Sequence, residues 1–131
     1  MSFDEVLSFA EEQGIMVKDC DLSLAKACSI KDGDAVGIGL DCDLSPQERL
    51  TCLLHELGHC ITDAFCPPHI RDRGKNEYRA NKWAFEFHMP YEELLLVIMD
   101  GNTEVWQIAE YFDVTYDFVK KALRYYKIKE F

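Results

Sequence analysis

The chain has 131 residues, 48% of them hydrophobic, which suits one domain with its own core and leaves little room for a second. Acidic residues outnumber basic ones 24 to 14, for a formal net charge of -10 and a pI of about 4.7. That balance repels phosphate backbones and sets nucleic acid aside as a partner, while basic protein surfaces remain acceptable.

In chain order, Ser2 and Glu5 read as a capping box ahead of a stripe of Phe3, Val6, Leu7 and Ala10 that stops at Gly14. This predicts an N-terminal helix. Residues 15–44 hold the short apolar runs "IMV", "KACSI" and "AVGIGL", the last two split by the turn signal "KDGD". They predict a small antiparallel sheet with 35–40 as its clearest strand. "SPQE" then offers Ser45 as N-cap, Pro46 in the first turn and Glu48 as box partner, for a helix running to about Cys66 before "PP". Further helices are expected over 76–88 and 91–99. Two more, "TEVWQIAEYF" and "TYDFVKKALRYY", each open on a threonine cap and are joined by a tight turn. The expected fold class is α+β, a small antiparallel sheet packed on a mainly helical body.

Six cysteines, at positions 20, 28, 42, 52, 60 and 66, include no pair with the two-residue gap of a zinc ribbon or a redox motif. The acidic, amphipathic N-terminus lacks the basic and apolar regions of a secretory signal. The longest aliphatic run, "LLLVIM" at 94–99, is too short to span a bilayer. A cytoplasmic protein with reduced, core-type thiols is the expectation.

The chemistry concentrates in "LLHELGHCITD", residues 53–63. At about 100° per residue, Leu50, Leu53, Leu54, Leu57, Ile61, Ala64 and Phe65 share one arc. His55, Glu56, His59, Thr62 and Asp63 share the opposite one. Histidines four apart stack one turn apart, so both imidazoles can reach one tetrahedral metal ion. Glu56 flanks that position, where a carboxylate can take a proton from water instead of acting as a ligand. Gly58 is expected to keep the approach open between the histidines.

Several residues compete to supply a third ligand. Cys60 falls at the edge of the apolar arc and reads as a core cysteine. Cys52 shares the histidine face, but a turn too low to close the same tetrahedron easily. Asp63, four residues after His59, is a candidate ligand or a hydrogen-bond partner for a ligating histidine. Glu77 opens the next helix and can complete the tetrahedron without bending the first. Asn81, one turn beyond it, can orient a metal-bound histidine.

Together, "LLHELGH" and "NEYRANKWAFEFHMP" resemble the ImmA/IrrE family of metallo-endopeptidases, in which HExxH is followed by a helix of the form E-x-x-A-N-x-x-A…M-P. The lead-in "DGDAVGIGLDCDLSPQERLTCLLHELGH" also fits that family. The resemblance implies a gluzincin-like zinc site held by His55, His59 and Glu77, with Glu56 as catalytic acid/base and Asn81 in the place of the orienting acid of the wider gluzincin pattern. The chain as a whole reads as one zincin-like domain over residues 1–131, with an N-terminal helix and sheet to 44, zinc-site helices over 45–100 and a helix-turn-helix-like pair over 103–131. The resemblance itself covers about residues 1–100 and is strongest at 45–90. It further implies a phage or mobile-element regulator whose zinc-held water attacks a scissile bond in a helix-turn-helix transcriptional repressor. A zinc-containing anti-repressor that displaces its partner without cutting it is the alternative.

His88 stands where an aliphatic residue is usual in that family, and it is expected at the surface or in a groove. His69 reads as a loop histidine. Tyr78 and Tyr91 are candidates for oxyanion donor, with nothing to rank them. Strand 35–40 is expected to offer an edge for the substrate backbone.

The C-terminal pair places Ile108, Ala109, Val114, Val119 and Leu123 at core-like spacing. Its five basic residues (Lys120, Lys121, Arg124, Lys127, Lys129) are matched by five acidic ones (Glu104, Glu110, Asp113, Asp117, Glu130). A DNA-reading helix normally shows a basic excess, so packing or substrate docking is expected in place of DNA binding.

Overall fold

A computed structural model describes residues 1–62 and 73–128. Among them the chain runs α1 (Phe3–Glu12), β1 (Ile15–Cys20), β2 (Ala27–Asp32), β3 (Ala35–Asp41), α2 (Pro46–Ile61), α3 (Arg73–His88), α4 (Tyr91–Met99), α5 (Val105–Phe112) and α6 (Tyr116–Tyr125). The architecture is α+β, as the sequence patterning predicts.

The sheet is mixed, in the order β1-β3-β2. β2 and β3 form the expected antiparallel hairpin, turning at Gly33, whose φ of 59° an L side chain rarely adopts. β1 instead lies parallel to β3, with Val17 opposite Ile38. The expectation of a wholly antiparallel sheet is corrected there, because the chain crosses over between β1 and β2 before pairing. β3 is therefore the central strand, hydrogen-bonded on both sides, and cannot offer a free edge to a substrate. Among the described residues the sheet's outer edges belong to β1 and β2.

Alternation along β3 sends Ile38 and Leu40 into a core shared with Leu50, Leu53, Leu54 and Leu57 of α2. Ile61, at the end of the same arc, is exposed. Capping boxes open α1 (Ser2, Glu5) and α2 (Ser45, Glu48), as the sequence predicts. α5 differs: its N-cap is Glu104, not Thr103, and the Glu104 amide donates to Gln107 Oε1 at 3.0 Å.

α5 and α6 join through Asp113, held left-handed at φ 58°, and bury Ile108, Ala109, Val114, Val119 and Leu123 in the common core. Thr115 caps α6 through its side chain, and its own amide donates to Thr51 Oγ1 on α2 at 3.0 Å. That bond seats the start of α6 beside the chemical face of α2. No helix of the described residues is long and apolar enough to cross a membrane. Five cysteines in this set, Cys20, Cys28, Cys42, Cys52 and Cys60, are free thiols.

Candidate metal centre

The frame of α2 is fixed at its first turn. Ser45 Oγ accepts from the Glu48 amide at 3.2 Å, and Glu48 Oε1 accepts from the Ser45 amide at 3.1 Å. Glu48 also takes a bond from Lys26 Nζ at 2.8 Å, and Lys26 with Ser45 holds its carboxyl at about 2. With four leucines anchored in the core, the helix must present His55, Glu56 and His59 on the opposite side.

That side is only partly open to water. α3 crosses α2 at Gly58, whose missing side chain lets the backbone of Ala80 come into direct contact. This is a different role from the opening between histidines expected of Gly58. The crossing carries Glu77 and Asn81, one turn apart on α3, over the two histidines. Arg79 secures it by donating to the Thr62 carbonyl at 2.7 Å.

Three side chains converge there. His55 Nε2 lies 3.0 Å from Glu77 Oε2, His59 Nε2 lies 3.0 Å from Glu77 Oε1, and the two Nε2 atoms are 3.2 Å apart. Tetrahedral ligands about 2.0–2.1 Å from a zinc ion would be separated by roughly 3.3 Å, close to the spacing of the two Nε2 atoms and of each from its nearer Glu77 oxygen. The hydrogen-bond pattern points the same way. His55 Nδ1–H donates to Asn81 Oδ1 at 2.9 Å, which leaves the His55 Nε2 lone pair facing a carboxylate that only accepts. A cation resolves that opposition. His55, His59 and Glu77 thus form a candidate metal site.

Glu56 lies alongside and is buried, 8% exposed. Burial is the main influence raising its carboxyl above the usual range, and Glu77 adds to it. His55 and His59 pull the other way, as does a hydrogen bond with Ser29 of β2. A raised pKa suits a group that must take up and release a proton near neutrality.

A groove of about 470 Å³ opens over these residues. β2 and the loop before it supply Ala27 and Lys26, α2 supplies Thr51 and Cys52, and α6 supplies Asp117, Phe118 and Lys121. The C-terminal pair is therefore a wall of the site as well as part of the core. Its neutral charge and five core positions were legible in sequence, but nothing local announced that α6 would face the histidines. Ser29 was also missed. Its signal is the period of two along β2, which puts Ala27, Ser29 and Lys31 on one face.

Cys60 is half-buried against the core, its thiol pushed up to about 11 by burial, and it does not line the groove. Cys52 lines the wall, and burial raises its thiol too. Tyr78 lies in a neighbouring furrow, while Tyr91 packs on Tyr126 with centroids 5.4 Å apart; neither lines the groove. Asp63 and His69 lie outside the described residues. His88 is not at the surface: it is 2% exposed, and its Nε2–H donates to the Phe112 carbonyl at 2.7 Å. The inward stripe of α3 continues through Ala84 and Phe85 to His88, and the ring fills the junction with α5.

Comparison with known families gives one match: the peptidase family described as IrrE N-terminal-like domain covers residues 10–124. No curated protein and no solved structure gives a significant match.

Proposed function

Because the chain belongs to the IrrE N-terminal-like peptidase family, its function is of the metallopeptidase type, and we propose that it is a zinc endopeptidase acting on a regulatory protein. The observation that carries this reading is the convergence of His55, His59 and Glu77 beside a buried, proton-accepting Glu56 in an open groove. His55, His59 and Glu77 would hold the zinc. When bound, the ion would supply Lewis acidity, making water a stronger acid and polarising a carbonyl oxygen.

The remaining work falls to the chain's own groups. Asn81 holds the His55 proton on Nδ1, so that Nε2 stays free to ligate. Glu56 accepts a proton from the attacking water and passes it to the departing amine nitrogen. Ser29 steadies the Glu56 carboxylate from the β2 side. The outer edge of β2 borders the groove through Ala27 and can pair with an extended substrate backbone. The substrate class we favour is a helix-turn-helix transcriptional repressor.

Co-expression with a repressor encoded beside this chain tests the reading. Cleavage is expected with the native protein and not with Glu56→Gln. Release of intact repressor by both forms would instead establish a zinc-containing anti-repressor that only binds.

A further inference from the structure

A second depression, of about 280 Å³, lies beside the groove between α3 and α6. Tyr78, Asn81, Lys82 and Phe85 follow the i, i+3, i+4, i+7 stripe of α3, and Lys121, Arg124 and Tyr125 follow the same spacing on α6. It is thus a furrow between two facing helical stripes. Asn81, Phe85 and Lys121 line both depressions, so the furrow opens directly off the metal centre.

Its charge runs against that of the molecule. Three cations and no carboxylate line it, in a chain with 24 acidic and 14 basic residues. Two acids meet its rim: Asp117 pairs with Lys121 at 3.0 Å, and Glu86 accepts from Tyr125 Oη at 2.6 Å, so Lys121 is already matched and the positive charge left over is that of Lys82 and Arg124. Lys82 and Arg124 have no ion-pair partner among the described residues. Tyr78 and Tyr125 meet edge to face with centroids 6.3 Å apart, an aromatic wall for the aliphatic part of a side chain.

We propose that this furrow is a specificity subsite for a peptide carboxylate, selecting substrates with an acidic group to one side of the scissile bond. The proposal rests on the endopeptidase reading for its place in catalysis. The Arg124 guanidinium matches a carboxylate as a two-pronged donor, and Lys82 adds a compact positive charge. Both sit in a chain that otherwise repels acids, so the furrow is where an acidic substrate group finds attraction.

Binding and cleavage are tested separately. Zinc-loaded Glu56→Gln protein is immobilised and offered a random octapeptide library in two copies, one with amidated and one with free C-termini. Retained peptides are sequenced. Asp or Glu is expected at one fixed position with about tenfold enrichment in both copies, and the preference should vanish in a Lys82→Glu/Arg124→Glu version. Enrichment only in the free-terminus copy would assign the furrow to a chain-terminal carboxylate. No acidic enrichment, or enrichment unchanged by the charge reversal, overturns the proposal. Arg124→Ala, with its thermal melt, separates lost recognition from lost folding. Retained peptides are then offered to the native zinc-loaded protein. If they bind but stay uncut, the endopeptidase reading fails and the subsite stands.

Discussion

Gly58 and Ala80 pack so closely that a Cβ at position 58 would lie 2.9 Å from the Ala80 carbonyl carbon and 3.0 Å from its Cα. These atoms are helix backbone and cannot step aside as a flexible side chain would. Gly58→Ala must therefore push α3 away from α2, at a cost of about 1–3 kcal/mol for overpacking. Glu77 and Asn81 ride on α3 and retreat from the histidines with it. The variant should stay folded with a lowered melting point and bind zinc markedly more weakly. Zinc affinity equal to that of the native protein would show that the crossing does not position the site.

Asn81 touches the centre only through His55, 2.9 Å from its Nδ1. Removing such an orienting partner typically costs about 10–100-fold in metal affinity. Asn81→Ala should fall in that range. Asn81→Asp, which supplies a stronger acceptor in the same place, should recover the affinity. Competition titration with a zinc chelator reads both. Equal losses for Ala and Asp would mean that the bond to His55 is incidental.

How much of this was legible in sequence depends on whether the signal is local. The Ser45–Glu48 capping box and the opposed arcs of α2 lie within one helix, so periodicity placed His55, Glu56 and His59 on a common face. Glu77 and Asn81 were candidates because they share a face of α3, but their approach to the histidines depends on a contact between Gly58 and Ala80, 22 positions apart. The parallel pairing of β1 with β3 has no local signature either, and a hairpin-by-hairpin reading gives an antiparallel sheet. His88 misled for the opposite reason. Its polarity suggested solvent, whereas its spacing from Ala84 and Phe85 pointed inward.

His88 also predicts a pH dependence. Burial is the main influence lowering its pKa below the ordinary 6.5; the hydrogen bond to the Phe112 carbonyl and the nearby Asp113 carboxylate oppose it. The folded state thus keeps the ring neutral at a pH where the unfolded chain already takes up a proton. Stability from this residue is fully present above about 6.5 and is lost as pH falls toward the depressed folded value. The slope for one proton is at most about 1.4 kcal/mol per pH unit. His88→Gln can keep a donor near the Phe112 carbonyl but does not titrate, so its stability should vary less between pH 7 and 5. Denaturant unfolding at several pH values would show it; parallel pH profiles for the two proteins would sink the idea.

Metal removal tests the centre without a substrate. An ion that binds the folded chain alone stabilises it by mass action, by about 2.7 kcal/mol when its free concentration is 100 times Kd. For a domain of this size that corresponds to a rise in Tm of roughly 5–10 °C. Zinc added to chelator-treated protein should produce such a rise. The increment should largely disappear in His59→Ala and Glu77→Ala, because either change leaves the triangle of donors incomplete. If Glu77→Ala keeps the full increment while His59→Ala loses it, the third ligand lies elsewhere, and Asp63 becomes the next residue to replace. If zinc leaves the native midpoint unmoved, the triangle is not a zinc site, and the endopeptidase reading fails with it.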